Sequence, residues 1–180
     1  MTVLKRAGEL YFRPLKKDDL AFLLEVRNEC REFLHDDRIF DLDEATRWFC
    51  DQKPDFWLIY LNEARIGYFR ISHHSSEHKR LYLGADLHQD YRGKGLGFLA
   101  WRNFLTFMFS KYDVHKVGLE VLASNERAMN LYRKLGFQKE GVKRDEIFRN
   151  QRWIDSIIMS LLKSEWLAGH GIAPVVKISA

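Results

Sequence analysis

Cysteine is scarce: the 180 residues hold two. Cys30 and Cys50 have neither zinc-ligand nor C-x-x-C spacing, which excludes a zinc ribbon or a dithiol redox motif and predicts reduced thiols in a packed interior. No apolar run approaches the length of a membrane span, and residues 1–6 are too polar for a signal peptide, so a cytosolic protein without membrane contact is expected. Charge of one sign is scarce too. A formal net charge of +4 can steer an anionic ligand but makes no case for nucleic acid. Repeats, low-complexity tracts and flexible linkers are all missing. What remains is 46% hydrophobic and 14% aromatic, enough to bury one sizeable core. One domain over 1–180 follows, with a core at about 8–164 and a C-terminal extension at 165–180.

Glycine, by contrast, is concentrated. Gly93, Gly95 and Gly97 fall within five residues, in the run Tyr91-Arg92-Gly93-Lys94-Gly95-Leu96-Gly97. Ahead of it, Leu81-Tyr82-Leu83-Gly84-Ala85-Asp86-Leu87 reads as a mostly buried strand. Behind it, Leu96, Leu99, Ala100, Phe104, Phe107 and Met108 recur at helical spacing. A glycine-rich turn between a strand and a helix lets backbone approach a ligand, and the helix N-terminus offers it unpaired N–H groups and a positive dipole end. This predicts a phosphate site. It is not a Walker A loop, because Lys94 is followed by Gly95 and no hydroxyl is placed for magnesium. It is not a dinucleotide fingerprint either, since the position of the third glycine is Phe98.

Arg92-Gly93-Lys94-Gly95-Leu96-Gly97 instead resembles the Q/R-x-x-G-x-G/A signature of the GNAT N-acetyltransferase superfamily. A second block, Gly118-Leu119-Glu120-Val121-Leu122 followed by Asn125, Ala128, Leu131-Tyr132 and Gly136-Phe137, resembles the superfamily's next motif in the right order and spacing. The two cover about the central third of the chain and are most similar to the branch holding ribosomal-protein N-terminal acetyltransferases and amino-sugar acetyltransferases. The resemblance implies an α+β, three-layer α/β/α fold. Its mixed, mostly antiparallel sheet of about seven strands contains a splayed parallel pair, and acetyl-coenzyme A enters the gap.

The rest of the chain fits that layout. Leu10-Tyr11-Phe12-Arg13-Pro14-Leu15 reads as a first strand, and Asp18 as the cap of a helix carrying Leu20, Leu23 and Leu24 and reaching Arg27. Asp43 is the expected cap of a second helix, with Ala45, Trp48 and Phe49 on one face and a stop at Lys53-Pro54. Residues 56–61 and 65–72 read as a hairpin, 72–79 as a polar loop, and 117–122, 137–142 and 153–162 as strands, with 143–152 a charged connection. Pro174-Val175-Val176-Lys177-Ile178 is either an edge strand or a loose tail. His73, His74 and His78 invite a metal reading, but no cysteine or close carboxylate pair accompanies them and acetyl transfer needs no metal.

The resemblance also assigns roles. Backbone at Ala85, Asp86 and Leu87 would run along the pantetheine, with a main-chain N–H for the thioester oxygen; Arg92, Gly93, Lys94, Gly95, Leu96, Gly97 and Phe98 would hold the pyrophosphate; Asn125 belongs to the same cofactor set. Main-chain donors explain the glycines, while the side chains of Arg92 and Lys94 point either to phosphate or to solvent. Amide formation from a thioester needs a proton taken from the amine, a polarised carbonyl and a proton for the departing sulfur. Tyr132 is the candidate acid, since a phenol near pKa ~10 can protonate a thiolate whose acid is near ~8.5. The competing reading is a core aromatic on the stripe Ala128, Leu131, Tyr132, Leu135.

Glu120 is the candidate base. It lies on the strand face opposite Val117, Leu119 and Val121, and a structural salt bridge is its alternative. Asp86, His88 or a water chain are fallbacks.

Arg27, Asn28, Glu29 and 31–35 are candidate acceptor contacts, with Trp48, Trp57, Tyr68, Phe69 and Trp153 as aromatics for stacking or for the core. The expected acceptor is a primary amine, led by an amino-sugar nucleotide and a protein N-terminus, and a homodimer is left open. A non-catalytic acyl-coenzyme A sensor of the same fold is the alternative.

Overall fold

Strands buried on both faces need apolar residues at odd and even positions alike. Around residue 58 that is what the chain supplies: Trp57 and Ile59 join one apolar cluster, while Leu58 joins Tyr68 in a second on the other face. The computed structural model describes residues 9–170. Its elements are β1 (Leu10–Pro14), α1 (Leu20–Cys30), α2 (Leu42–Gln52), β2 (Asp55–Leu61), β3 (Ala64–Ser75), β4 (Arg80–Leu87), α3 (Leu96–Lys111), β5 (Lys116–Leu122), α4 (Glu126–Lys134), β6 (Gln138–Arg149), β7 (Arg152–Leu162) and α5 (Lys163–His170). Seven strands form one mixed sheet in the order β1-β2-β3-β4-β5-β7-β6.

Three layers result. On one face Leu20, Leu23 and Val26 of α1 pack with Leu58 and Tyr68; on the other Phe104, Tyr132 and Trp166 of α3, α4 and α5 pack with Ile59, Phe69 and Leu119. All strand pairs are antiparallel except β4 with β5. That parallel pair is short: Arg80, Leu81 and Tyr82 face Lys116, Val117 and Gly118, and beyond them the strands part. β5 meanwhile stays paired with β7 as far as Leu122, so the gap opens between β4 and β5 alone. The seven-strand, splayed, three-layer expectation is met.

Several boundaries differ. Asp18 caps nothing; a single turn at Lys17–Asp19 precedes α1, where the Asp19 carboxylate accepts from the Lys16 N–H at 2.8 Å and from Arg13 at 3.0 Å. The buried carboxylate needs the arginine, and that pair fixes the approach to the helix, which runs three residues past Arg27 to Cys30. Asp41, not Asp43, caps α2. Its carboxylate accepts from Glu44 N at 2.8 Å and Glu44 returns the bond to Asp41 N at 3.0 Å, a capping box written as D-x-x-E. β3 runs on to Ser75, taking His73 and His74 out of the expected loop. The charged connection 143–152 is mostly strand: β6 reaches Arg149, and Asn150 and Gln151, both with positive φ, make a two-residue hairpin turn to β7. Cys30 is buried and Cys50 exposed, and Leu99 of the α3 stripe faces outward at 43% exposure. The proposed strand at 174–178 lies outside the described residues, among which no helix is long and apolar enough to cross a membrane.

Candidate active site

The glycine-rich turn folds as its composition dictates. Gly93 and Gly95 take φ of +78° and +77°, the left-handed region that penalises any residue with a Cβ. Gly95 is the N-cap of α3 and brings no side chain to it, so the first-turn N–H groups of Leu96, Gly97 and Phe98 are not capped by a side chain. A Cβ built on Gly95 would meet nothing within 4 Å. An open face, positive φ and an uncapped helix start together fit a phosphate group. Lys94 is exposed, with its ammonium 5.9 Å from the Tyr91 ring centroid. Arg92 takes neither expected direction. Its guanidinium turns inward, donating to Leu87 O at 2.8 Å, to Cys30 Sγ at 3.1 Å and to Glu29 at 3.5 Å. That locks the turn to the end of β4 and to α1, and the Cys30 thiol, pushed up to about 12 chiefly by burial, stays protonated there.

Where β4 and β5 part, groups from both layers meet. Tyr132 projects from the α4 side, its ring edge-on to Trp101 at 5.1 Å. Asn125 Oδ1 accepts from Ala128 N at 3.1 Å, capping the helix that carries it. Burial raises the Tyr132 phenol well above its ordinary range, against a lowering effect from Arg70, so the phenol stays protonated. From the other face come Asp86, 8% exposed, and Arg70, which form a charge-assisted hydrogen bond. Arg70 lies across β4 at Gly84, where a Cβ would stand 2.6 Å from its Nε. A larger residue there would displace that guanidinium from its place over the strand.

Glu120 projects to the same face as Arg70. Lys143 of β6 donates to both of its carboxylate oxygens at 2.8 Å, the salt bridge that was its alternative reading. His35 Nε2 lies 3.9 Å from Glu120 and 2.7 Å from Ser156 Oγ of β7. His88 stands apart, with Glu25 and Glu29 at 3.4 and 3.5 Å, and among the described residues this trio is the group whose ligand atoms converge closely enough for a cation. His73, His74 and His78 do not converge.

Beneath α1 and α2 a cavity of about 490 Å³ opens toward this chemistry. Its walls carry Arg27, His35, Trp48, Phe56, Tyr68 and Arg70. Arg27 and His35 were expected near the acceptor, and Trp48 and Tyr68 among its aromatics. Arg27 is engaged, donating to Arg38 O at 2.6 Å and Asp36 O at 3.0 Å, which shapes the 36–40 loop. Arg149 of β6 holds the preceding turn by donating to Glu32 O at 2.8 Å and Leu34 O at 2.9 Å, and reaches the loop itself through an ion pair with Asp37 at 2.9 Å. Trp57 and Phe69 lie in the core on the opposite face, and Trp153 is exposed at the hairpin end, packed on Phe148. Arg70, Lys143 and Ser156 were missed. Arg70 carried a readable signal: a charge inside an apolar strand, the same reasoning that singled out Glu120.

A splayed parallel pair, an uncapped helix start after a glycine turn and a buried phenol at the gap define an acyl-coenzyme A acyltransferase. Comparison with known proteins makes this specific. The acetyltransferase (GNAT) domain model matches residues 9–138, and the chain belongs to that family. It is 25% identical over 170 residues to the spermidine N(1)-acetyltransferase of Escherichia coli K12, covering 91% of each chain. It is 31% identical over 89 residues to that organism's ribosomal protein uS5-alanine N-acetyltransferase, covering 49% of this chain and 46% of the relative. A solved structure of the Vibrio cholerae spermidine N-acetyltransferase in complex with CoA and spermine superposes with a TM-score of 0.82 at 23% identity, over 88% of this chain and 98% of that one. The protein is an N-acetyltransferase that uses acetyl-coenzyme A.

Proposed function

We propose that the acceptor is a polyamine, acetylated on a primary amine. The observation that carries this is the lining of the cavity. The segment 25–52 holds nine carboxylates against four arginines, an excess that draws a polycation to that side of the molecule, while the cavity wall itself sets Asp36 and Glu44 beside Arg27, Arg38 and Arg70. The aromatic faces of Trp48, Phe56 and Tyr68 suit ammonium groups, and Leu23 and Leu24 suit the methylene stretches between them. The full-length likeness to spermidine acetyltransferases points the same way, in place of the amino-sugar nucleotide or protein N-terminus that the sequence motifs favoured.

In this reading the N–H groups of Leu96, Gly97 and Phe98 hold the pyrophosphate, and the free edge of β4 at Ala85, Asp86 and Leu87 aligns the pantetheine with a main-chain N–H on the thioester oxygen. The neutral amine attacks the thioester carbon, the C–N bond forms, the C–S bond breaks, and Tyr132 gives its proton to sulfur. Asn125 acts through its cap, by orienting the helix of Tyr132. The test is release of coenzyme A thiol with spermidine, spermine and putrescine beside nucleotide-linked amino sugars and N-terminal peptides. Turnover with the polyamines is expected; turnover confined to an amino-sugar nucleotide or a peptide overturns the proposal.

A further inference from the structure

We infer that His35 is the general base of the reaction, with Ser156 and Glu120 fixing its orientation and tautomer. The inference rests on the amine reaching the thioester through the cavity described above, because His35 is on its wall. Glu120 itself is poorly placed to accept a proton, since Lys143 occupies both of its oxygens. His35 has the complementary arrangement. Its Nε2 is 2.7 Å from Ser156 Oγ and 3.9 Å from Glu120 Oε2, whereas Nδ1 makes no hydrogen bond among the described residues. With a hydroxyl oxygen and a carboxylate both beside Nε2, the proton of the neutral ring belongs there. The lone pair is then on Nδ1. Ser156 is wholly buried and held in the sheet between β5 and β6, so its oxygen is a rigid reference point for the ring.

The surrounding charges suit a base. Burial lowers the affinity of the imidazole for a proton, Lys143 of β6 and Arg70 of β3 add to that, and Glu120 of β5 and Glu146 of β6 oppose it. The ring is therefore neutral at pH 7, and the imidazolium, once formed, has a carboxylate on its Nε2 side. The proton balance closes. His35 Nδ1 takes one proton from the acceptor ammonium and later releases it to solvent. The second N–H proton, lost as the amide forms, replaces the one Tyr132 gives to sulfur.

Two measurements on the full chain test this. Long-range nitrogen–proton spectra of the imidazole are expected to show the neutral ring protonated on Nε2 and titrating below the ordinary 6.5; a ring protonated on Nδ1 overturns the assignment, because its lone pair would face Ser156. In steady-state kinetics with spermidine, kcat/KM should fall on the acid side through that same titration. His35→Gln should lower kcat about a hundredfold and remove this acid limb, with coenzyme A affinity and unfolding midpoint unchanged. Glu120→Gln should shift the limb to lower pH, since it removes the charge that favours the imidazolium. A His35→Gln enzyme that keeps the wild-type rate, or keeps the limb, overturns the proposal. Absence of any turnover with spermidine sinks the polyamine reading instead, and the tautomer spectrum then decides for His35 alone.

Discussion

Replacing Tyr132 by Phe removes one oxygen from a ring that otherwise packs on Trp101 and Phe137. The fold keeps its aromatic contacts and sulfur loses its acid, so kcat should drop about a hundredfold while calorimetric affinity for coenzyme A stays the same. An unchanged kcat would return Tyr132 to the core. Asp19 tests stability rather than chemistry. Burial alone would raise its carboxyl, but the hydrogen bonds from Arg13 outweigh that and hold it below the usual range. A lowered folded-state value means the stabilisation is present above the unfolded carboxylate range, near ~4, and is lost as pH falls through the folded value. Asp19→Asn should therefore cost about 3 kcal/mol in urea unfolding at pH 7, and the difference should shrink at pH 3. A motif or an alternation marked Tyr132 and Glu120 as residues to examine, and the salt bridge to Lys143 is the alternative reading of Glu120. Ser156 was not marked, because a buried serine in an apolar strand reads as filler until its partner from residue 35 arrives through the fold.

Elements were legible where periodicity and punctuation agree. α3, α4 and β4 were located from apolar spacing and glycine, and Gly136, just past the end of α4, stands at φ +94°. β6 was cut short because its second half opens on the charged run Lys143-Arg144-Asp145-Glu146, and the Ile147-Phe148 pair after it makes sense only beside Ile154 and Trp153 across the hairpin. The α2 cap moved two residues, to Asp41, because Glu44 three residues on closes a local capping box with it, while Asp19 ahead of α1 is held by Arg13 and makes no side-chain cap bond to that helix. Two substitutions probe element ends. Gly95→Val forces a branched residue into positive φ, costing roughly 1–2 kcal/mol locally, and fills the open face where phosphate would sit. Coenzyme A binding should fall beyond calorimetric detection, and normal binding would remove the loop from the cofactor site. Asn125→Ala deletes the α4 cap and should lower Tm by roughly 2–4 °C for about 1 kcal/mol, with a smaller fall in kcat than Tyr132→Phe gives.

At the scale of the molecule, charge is unevenly distributed. The segment 25–52 carries nine carboxylates against four arginines, while the glycine turn presents backbone N–H groups with Lys94 nearby. Raising ionic strength from 0.05 to 0.5 M should raise KM for spermidine several-fold, as screening shortens the Debye length below ~10 Å, and leave kcat nearly constant. A salt-independent KM would count against electrostatic capture. The family and the splayed sheet were readable from two motifs, whereas the cavity was not, because it is assembled from α1, α2, β2, β3 and the 34–40 segment rather than from any contiguous stretch. The inward turn of Arg92 has a thermodynamic corollary. One guanidinium joins the glycine turn to Glu29 and Cys30 of α1, the helix that also lines the cavity, so in the proposed reading the two binding sites share a mechanical linkage. Whatever factor a bound coenzyme contributes to amine affinity, the amine must return to the coenzyme, and cutting the linkage with Arg92→Ala should move both dissociation constants toward independence together.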